Sequence, residues 1–503
     1  MGEAGPSAGG ADRRREGPGR AAADRSLWQV VDDLARADPD RIVAVDEGGR
    51  TLTAAGLATA AAGAAAGLHR LGVDAASTVS WQLPTTPAAV ILTVALSRIG
   101  AAQNPLVPIL REREVGFICD QVGTDLLVVP RAWRGFDYAA MAGALGRRHL
   151  IVDGALPAGD PEELPPVTAG PRRWYFYTSG TTADPKGARH TDTTLRAAAD
   201  GMVSHLHMGA DDVLTAVAPI THVGGIICLM ASLATGMRQL LVETFLPEVV
   251  SPFFREHGAT LIGLGTPCFL AYLDHHQRHP EQEPLFPQVR AFLAGGAPTP
   301  AAIHHRLTAE LGAGVLSGYG LTEAPMLTWN AVGDDDEARA HTEGRPVPGV
   351  TLRVDGSGQI LARGPQLMLG YVDPAADGGD EGWFATGDLG ELDDRGYLRI
   401  TGRVKDIIIR NMENISAREL EDLLVTHPEV ADVAVVGVPD ERTGERACAV
   451  VVPRHPANPP TLAELAGHLR AAGLSDRKLP EELRYRDELP RNAMGKVIKT
   501  ALR

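Results

Sequence analysis

Three of the five lysines in this 503-residue chain lie in segments that could handle phosphate. Lys186 follows a run of Gly, Ser and Thr, Lys405 stands in Gly-Arg-Val-Lys-Asp, and Lys496 stands in Pro-Arg-Asn-Ala-Met-Gly-Lys-Val-Ile-Lys. Elsewhere arginine supplies nearly every cation, since Lys and Arg together number 48. Lysine is a compact point charge on a flexible stem, whereas the arginine fork is broad and planar. The retained lysines therefore indicate cation sites in narrow cavities.

The segment before Lys186 reads Tyr-Thr-Ser-Gly-Thr-Thr-Ala-Asp-Pro-Lys-Gly at 177–187. A loop of this kind can surround phosphate oxygens with backbone N–H groups, hydroxyls and one cation. A Walker A loop requires Lys followed by Ser or Thr, whereas Gly187 follows Lys186, which argues against an ordinary P-loop NTPase. The other interpretation is a flexible surface turn, and the density of hydroxyls before the lysine disfavours it.

The composition is that of a soluble globular protein, with 44% hydrophobic and 22% charged residues. A net charge of -15 disfavours nucleic acids and anionic membranes as partners, so a bound polyanion needs a locally basic or amide-lined pocket. The four cysteines have no CxxC spacing, which favours reduced core residues over disulfides or a zinc site. The sequence contains no uninterrupted run of eighteen apolar residues, so it predicts no membrane-spanning helix. We expect a flexible tail at 1–25, without a signal core, and a cytoplasmic protein.

The pattern after residue 26 predicts a mixed α/β fold in two parts. Short apolar runs alternate with Ala- and Leu-rich amphipathic stretches up to about residue 344, as in a large N-terminal body of mostly parallel α/β layers. Short strands and tight turns predict a β-rich subdomain at 346–400. The remaining residues, 404–503, predict a small mobile α+β C-terminal domain, joined to the 26–403 domain by a hinge near 402–406.

The 177–187 loop is followed along the chain by Leu-Ala-Gly-Gly-Ala-Pro at 293–298, Gly-Tyr-Gly-Leu-Thr-Glu at 318–323, Gly-Trp-Phe-Ala-Thr-Gly-Asp-Leu at 382–389, Gly-Arg-Val-Lys-Asp at 402–406 and the 490–499 segment. These motifs, in this order, resemble those of the adenylate-forming superfamily, which includes acyl-CoA synthetases, luciferases and the adenylation domains of peptide synthetases. So many ordered matches over nearly the whole chain make accident implausible. The resemblance, most marked to AMP-forming acyl-CoA ligases, implies ATP and Mg²⁺ as cofactors.

The resemblance also assigns nucleotide-binding roles residue by residue. Tyr319 and a glycine-lined turn would flank adenine, Asp388 would accept hydrogen bonds from the ribose hydroxyls, and Arg403 would lie near ribose and phosphate. The residues implied to bind nucleotide and its phosphates, together with the lysine of the hinge, are Thr178, Ser179, Gly180, Thr181, Thr182, Lys186, Gly295, Gly296, Ala297, Gly318, Tyr319, Gly320, Asp388, Arg403 and Lys405.

Four residues are implied to be catalytic. Lys496 would bridge the acyl carboxylate and the α-phosphate, where a cation offsets the repulsion between two anions, and Thr322 would contact the α-phosphate. Glu323, with Thr181, would hold Mg²⁺, a hard ion that prefers oxygen ligands. A lone histidine in an apolar run is usually a core residue, but the resemblance puts His222 at the acyl site.

The acid and the acyl acceptor are less determined. The run at 223–233 should line or back the acyl pocket and carries no charge, which favours an apolar acid (fatty, alicyclic or aromatic) over an amino acid, whose ammonium needs a buried carboxylate. CoA is the acceptor that the resemblance implies. The alternatives are a carrier-protein phosphopantetheine loaded in trans, an oxidative light-emitting reaction, and a silent acyl- or nucleotide-binding protein.

Two departures from the family pattern bear on this choice. Ala183 replaces a usual glycine of the phosphate loop, and Asn411 and Met412 stand where two glycines are common. A side chain at Met412 is expected to narrow or reshape the passage for a pantetheine arm. The sequence leaves the oligomeric state open, a homodimer included.

Overall fold

The computed structural model describes residues 25–167, 170, 172–178, 185–282, 284–296, 299–376, 382–410, 413–440, 444–492 and 495–503. The tail prediction falls almost wholly outside these residues, at 1–24. Several residues singled out above also lie outside them: Ser179, Gly180, Thr181, Thr182, Ala183, Ala297, Asn411 and Met412. Lys405 is described by its backbone alone.

Polar caps mark many of the helix starts. Ser26 and Gln29 form a reciprocal capping box, and a helix that opens with Pro87 closes at Gly100 with a φ of 93°. The helices are α1 (Leu27–Ala37), α2 (Ala54–Arg70), α3 (Pro87–Ile99), α4 (Glu112–Val122), α5 (Tyr138–Ala144), α6 (Asp192–Leu206), α7 (Val223–Thr235), α8 (Pro247–Glu256), α9 (Gly265–Arg278), α10 (Ala301–Leu311), α11 (Asp336–His341), α12 (Ala417–Leu424) and α13 (Leu462–Ala471).

The strands are short and mostly buried in the N-terminal part, as apolar runs between turn signals predict. They are β1 (Ile42–Asp46), β2 (Thr51–Thr53), β3 (Thr78–Trp81), β4 (Ala102–Pro105), β5 (Leu126–Pro130), β6 (Ala132–Trp133), β7 (Phe136–Asp137), β8 (His149–Val152), β9 (Arg173–Thr178), β10 (Lys186–Thr191), β11 (Val213–Ala216), β12 (Arg238–Leu241), β13 (Leu261–Gly263), β14 (Ala291–Gly295), β15 (Val315–Tyr319), β16 (Thr328–Trp329), β17 (Arg345–Pro346), β18 (Thr351–Val354), β19 (Gln359–Arg363), β20 (Phe384–Leu392), β21 (Leu398–Arg403), β22 (Ile407–Arg410), β23 (Glu413–Ser416), β24 (Val430–Asp440), β25 (Gly444–Pro453) and β26 (Glu482–Tyr485).

Two large sheets form the N-terminal body. The first has the order β17-β16-β15-β14-β13-β11-β12-β1-β2 and is parallel from β15 to β1, with antiparallel strands at its two edges. The second has the order β10-β9-β4-β3-β5-β8 and is parallel except for the β9–β10 pair. The expected mostly parallel α/β body is confirmed.

One hydrophobic core connects the two sheets. It takes Leu214 and Leu293 from the first sheet, Trp81 and Trp174 from the second, and apolar residues of α2, α3, α6 and α7. Both tryptophans have no exposed surface, and full burial of a large apolar side chain contributes on the order of 2–3 kcal/mol. This shared core holds the loops of both sheets in fixed positions.

Among the described helices, none has the length and hydrophobicity that a membrane crossing requires.

Two smaller sheets follow. Strands β18 to β21 form an antiparallel four-stranded sheet that ends at Arg403, close to the predicted β-rich subdomain. After the 3-10 turn Val404–Asp406, strands β22 to β26 form a second sheet, which packs with α12 and α13 around its own core. The predicted hinge at 402–406 therefore spans the end of one sheet and the start of the next, and its motion stays a prediction.

Candidate active site

The candidate site lies where several strands of the large body end. Gly295 closes β14 and Tyr319 closes the parallel neighbour β15, with Gly295 paired to Gly318. Carboxyl ends of parallel strands meet at one edge of a sheet, so the loops that follow them share a cleft. From the antiparallel sheet, Asp388 and Arg403 face this cleft as directly paired residues of β20 and β21.

Asp388 is the centre of one hydrogen-bonded group. Its Oδ2 accepts from the Tyr319 hydroxyl at 2.8 Å, and its Oδ1 accepts from Nε of Arg403 at 2.5 Å. The Asp388 side chain is almost completely buried, whereas that of Arg403 is about half exposed. Burial, then the Asp388 charge, raises the pKa of Tyr319 well above its ordinary value. Each carboxylate oxygen can accept more than one hydrogen bond, so Asp388 keeps accepting capacity while its orientation is fixed.

The glycines of this region serve two different purposes. A Cβ on Gly318 would lie 2.6 Å from the Trp329 ring, and one on Gly320 would lie 2.5 Å from the Met326 nitrogen. Packing within the chain therefore explains both glycines. Gly296 differs, because it has a φ of 80° and its Cβ would lie 3.7 Å from Cε of Lys496.

Lys496 reaches this cleft from the C-terminal domain. Its loop is closed by two hydrogen bonds with Asn492: the Asn492 N–H donates to the Lys496 carbonyl at 2.8 Å, and the Lys496 N–H donates to Oδ1 of Asn492 at 3.0 Å. Burial, and next the charge of Arg403, lowers the pKa of Lys496, while Asp388 and Glu323 oppose this change. The ammonium of Lys496 thus shares one electrostatic environment with Asp388 and Glu323, which belong to the large body and lie more than a hundred positions earlier in the chain.

A second group joins Lys186 to Glu323 through Tyr371. The Tyr371 hydroxyl donates to Oε1 of Glu323 at 2.7 Å, and Nζ of Lys186 lies 5.3 Å from the centre of the Tyr371 ring, within cation–π range. The Val372 N–H donates to the Gly187 carbonyl at 2.8 Å, so the segment with Tyr371 pairs with β10. The hydroxyl of Thr178 lies 3.4 Å from the Lys186 carbonyl.

Sequence analysis missed Tyr371, because it belongs to none of the motifs. The only local signal is an aromatic residue directly after Gly370 in a turn-rich stretch, which is too common to predict a site. His190 was also missed: its Nε2 donates to the Thr322 carbonyl at 2.8 Å and so supports the turn that carries Thr322 and Glu323. Burial lowers the pKa of His190 to about 4, which keeps the ring neutral.

His222 stands at the start of α7 and borders an apolar cavity. Its Nδ1 accepts from the Gly224 N–H at 3.1 Å, so the proton of the neutral ring is on Nε2. The cavity is lined by Pro105, Leu106, Val107, Leu110, Phe176, Tyr177, Thr221, His222, Val223 and Thr322. No lining residue is acidic. Much of α7 beyond Val223 packs into the core instead of lining this cavity.

Burial, then the charge of Lys496, lowers the pKa of His222 to about 4. An unfolded histidine titrates near 6.5, so below that pH the unfolded state binds more protons and His222 makes folding less favourable as the pH falls toward 4. Asp192 and Glu343, whose pKa values burial raises to about 6 and about 7, act in the opposite direction.

The His222→Asn variant isolates this effect, since Asn also caps helices. We compare the free energy of unfolding of His222→Asn with that of the unchanged protein. When the pH is lowered from 7 to 5, we expect this difference to shift in favour of the variant by on the order of 1–2 kcal/mol. Urea unfolding at the two pH values measures the difference. An equal effect of the substitution at both pH values would contradict the neutral, buried ring.

In this α/β chain, Lys496 of the C-terminal domain enters a cleft of the N-terminal body. This arrangement is the architecture of an adenylate-forming enzyme. The AMP-binding enzyme family matches residues 31–372, and the AMP-binding enzyme C-terminal domain matches residues 419–496. The chain therefore belongs to the AMP-binding enzyme family, and the sequence-based assignment to the adenylate-forming superfamily is confirmed.

Individual relatives cover nearly the whole chain. It is 30% identical over 528 residues to the medium-chain fatty-acid–CoA ligase of Escherichia coli, with 95% of this chain and 90% of that protein aligned. It is 33% identical over 518 residues to the salicyl-AMP ligase / salicyl-S-ArCP synthetase of Mycobacterium tuberculosis, with the same two shares. The structure of ATP-bound MatB from Rhodopseudomonas palustris superposes with a TM-score of 0.83 at 28% identity, covering 95% of this chain and 98% of that chain. The names of the Escherichia coli and Mycobacterium tuberculosis enzymes differ in both the acid and the acyl acceptor.

Proposed function

We propose that this chain is an AMP-forming acid–CoA ligase that activates an apolar carboxylic acid. The observation that carries the proposal is the position of Lys496, which shares a cleft with the apolar cavity beside His222 and with the carboxylates of Asp388 and Glu323. A cation between an acid pocket and a nucleotide pocket is suited to joining two anions.

The first step forms the acyl-AMP. A carboxylate oxygen of the acid attacks the α-phosphorus of ATP, the bond from that phosphorus to the bridging oxygen breaks, and pyrophosphate leaves. Lys496 stabilises the negative charge that collects between the carboxylate and the α-phosphate. Asp388 holds the ribose, Tyr319 packs against adenine, and Thr322 contacts the α-phosphate.

Glu323 is the residue of the described chain that would hold Mg²⁺, with Thr181 as a further proposed ligand. The donor set fits this ion, because a carboxylate and phosphate oxygens are the hard ligands that Mg²⁺ prefers. When bound, the ion neutralises phosphate charge and aligns the pyrophosphate for departure. Lys186 supplies a second positive charge on the same side, next to Tyr371.

In the second step the thiol of CoA attacks the acyl carbonyl, its proton is released, and AMP leaves. Lys496 must withdraw to admit the thiol, so the C-terminal domain has to rotate about the turn at Val404–Asp406. A carrier-protein phosphopantetheine presents the same thiol, and the likeness to the salicyl-S-ArCP synthetase makes it the alternative acceptor.

The test is pyrophosphate release from Mg·ATP over a panel of fatty, alicyclic and aromatic acids, with and without CoA, with products measured by mass spectrometry. Formation of acyl-CoA and AMP supports the ligase and identifies the acid class. Acyl-AMP that accumulates in the presence of CoA supports the carrier-protein alternative. Absence of release with every acid would overturn both.

Tyr371→Phe removes the hydroxyl that donates to Glu323 and keeps the ring beside Lys186. We expect the Mg²⁺ concentration for half-maximal adenylation to rise by about tenfold, which corresponds to the lower end of the roughly 1.5–3 kcal/mol that a hydrogen bond to a charged group contributes. Tyr397→Phe is the matched control, because it removes a similar Tyr–Asp hydrogen bond of 2.6 Å, to Asp334. If the Mg²⁺ dependence is unchanged in Tyr371→Phe, the Tyr371 hydroxyl does not position Glu323 for the ion.

Lys405→Pro tests the hinge. The proline ring fixes φ near the value of a 3-10 turn, so it is compatible with the orientation seen here and resists rotation away from it. We expect acyl-AMP formation to stay within a few-fold and the reaction of acyl-AMP with CoA to slow by about tenfold or more. Lys405→Ala, which removes the side chain without fixing the backbone, is the control. Equal loss in both half-reactions would show that the hinge lies elsewhere.

A further inference from the structure

A cluster of side chains that could ligate a metal lies on α8, on α9 and at the residue directly after α9, in segments that carry none of the proposed catalytic residues. Nδ1 of His275 lies 2.6 Å from Oε2 of Glu248, and Nε2 of His279 lies 3.6 Å from the same oxygen. One ligand atom from each residue falls within 4.8 Å of the others. Tetrahedral Zn²⁺ with bonds of about 2.1 Å separates its ligand atoms by about 3.4 Å, so small side-chain adjustments would complete such a geometry.

His279 directly follows α9 as its C-cap residue, and its ring packs beside that of His275. His275 and His279 are four residues apart, and their ring centres are 4.5 Å apart. His275 is 2% exposed, and its Nε2 has no hydrogen-bond partner among the described residues, so the ring makes its polar contact through Nδ1, toward Glu248. A buried ring held in this way requires little ordering when a cation binds.

One carboxylate outside the three proposed ligands, that of Glu281, orients His279, and the guanidinium of Arg278 orients Glu248. Nδ1 of His279 lies 3.2 Å from Oε1 of Glu281, which favours the tautomer with the proton on Nδ1 and the Nε2 lone pair facing Glu248. Arg278 donates to Oε1 of Glu248 at 2.6 Å, which leaves Oε2 on the side of the two histidines. Histidine–carboxylate pairs behind a ligand are the usual support of metal sites.

A second cluster, formed by His304, His305 and Asp336, provides an internal comparison. Nδ1 of His304 accepts from the Val315 N–H at 3.1 Å, so its proton is on Nε2, which donates to Oδ1 of Asp336 at 2.8 Å. Nε2 of His304 therefore has to keep its proton, since Nδ1 already accepts from the backbone, and it offers no lone pair to a metal. In His275 neither ring nitrogen accepts from the backbone among the described residues, so the proton can lie on Nε2 and the Nδ1 lone pair can bind a metal in place of its contact with Glu248.

We propose that Glu248, His275 and His279 form a binding site for a divalent transition-metal cation, with Zn²⁺ as the representative ion. Two imidazoles and one carboxylate favour Zn²⁺ and its late first-row neighbours over Mg²⁺ and Ca²⁺, which prefer oxygen ligands. The site is separate from the cleft: His275 lies eight residues along α9 from Pro267, roughly 12 Å at the rise of an α-helix, and Pro267 is the residue of α9 nearest Gly495. A bound cation would clamp α8 to α9.

Calorimetric titration of ZnCl₂ into the untagged, EDTA-treated full chain, in excess MgCl₂, tests this site. We expect one saturable Zn²⁺ per chain, at least tenfold weaker binding in His279→Ala and in Glu248→Gln, and unchanged binding in His305→Ala, the control from the second cluster. His279 is chosen over His275 because its side chain is about one-third exposed, so the substitution spares the core.

Thermal unfolding gives a second measurement, because a ligand that binds only the folded state raises the melting temperature. Zn²⁺ should raise it in the unchanged protein and in His305→Ala, and should have little effect in His279→Ala. Absence of saturable binding, retention of full affinity in His279→Ala, or loss of affinity in His305→Ala would each overturn the proposal.

Discussion

Replacing Lys496 with methionine is expected to slow acyl-AMP formation by about 10²- to 10³-fold, the usual effect of removing one preorganised stabilising group. The reaction of preformed acyl-AMP with CoA should change by no more than a few-fold. The asymmetry has a structural reason: the ammonium lies among Arg403, Asp388 and Glu323 in the orientation seen here, and it must leave before a thiol can approach. Methionine keeps most of the apolar stem, so packing near Gly296 is retained.

The two half-reactions are measured separately, by pyrophosphate release and by acyl-CoA formation from synthetic acyl-AMP. Lys478→Met is the matched control, because Lys478 is a partly exposed lysine of the same domain that pairs with Glu419 at 2.7 Å, away from the cleft. Equal slowing of both half-reactions in Lys496→Met would point to a damaged C-terminal domain. Unchanged acyl-AMP formation would remove Lys496 from the chemistry and with it the main support of the proposed function.

Local patterns were sufficient to predict the architecture of the body. The apolar runs that became β5 and β13 are short, buried and bounded by turn residues, which is the pattern of strands covered on both faces. Asp388 and Lys496 were assigned by the resemblance of their motifs to the family, and their roles stay predictions. Sheet order and the pairing of β20 with β21 depend on contacts far apart in the chain, so no local pattern contained them.

The glycines and the aromatic residues mark the limit of motif reasoning. Gly318 and Gly320 were assigned to nucleotide binding, yet a side chain at either position would collide with Trp329 or with the backbone of Met326. Packing alone is enough to explain them, and their contact with the nucleotide stays a prediction. Conversely, Tyr371 enters the site only because its segment pairs with β10, a contact with no signal in the sequence.

The cavity proposed to bind the acyl group shows the same limit for the prediction of specificity. The sequence predicted an apolar lining from the run at 223–233, but the cavity takes its walls from separate segments, among them Leu106, Phe176 and Val223. Which side chains face the cavity depends on how the second sheet packs against α7. The polarity of the cavity lining could therefore be predicted from one run of residues, whereas the size and shape of the cavity depend on the assembled fold.

Asp388→Ala should have the second large effect, on the use of ATP. The carboxylate is nearly buried and oriented by Tyr319 and Arg403, and in the proposed function it accepts hydrogen bonds from the ribose hydroxyls. A hydrogen bond to a charged group contributes about 1.5–3 kcal/mol, so losing two of them predicts an increase of about 10²-fold or more in the KM for ATP. The substitution also leaves a buried tyrosine hydroxyl without this partner, so thermal unfolding has to be compared in parallel.

A modified nucleotide separates ribose recognition from general damage. The unchanged enzyme should use ATP better than 2′-deoxy-ATP, and Asp388→Ala should lose that preference, because the hydroxyl no longer has its acceptor. Tyr319→Phe keeps the aromatic face and removes only the hydroxyl that orients Asp388, so it should retain the preference with a smaller rise in KM. If Asp388→Ala still discriminates between the two nucleotides, the carboxylate does not bind the ribose, and its role is to hold Tyr319 and Arg403 in place.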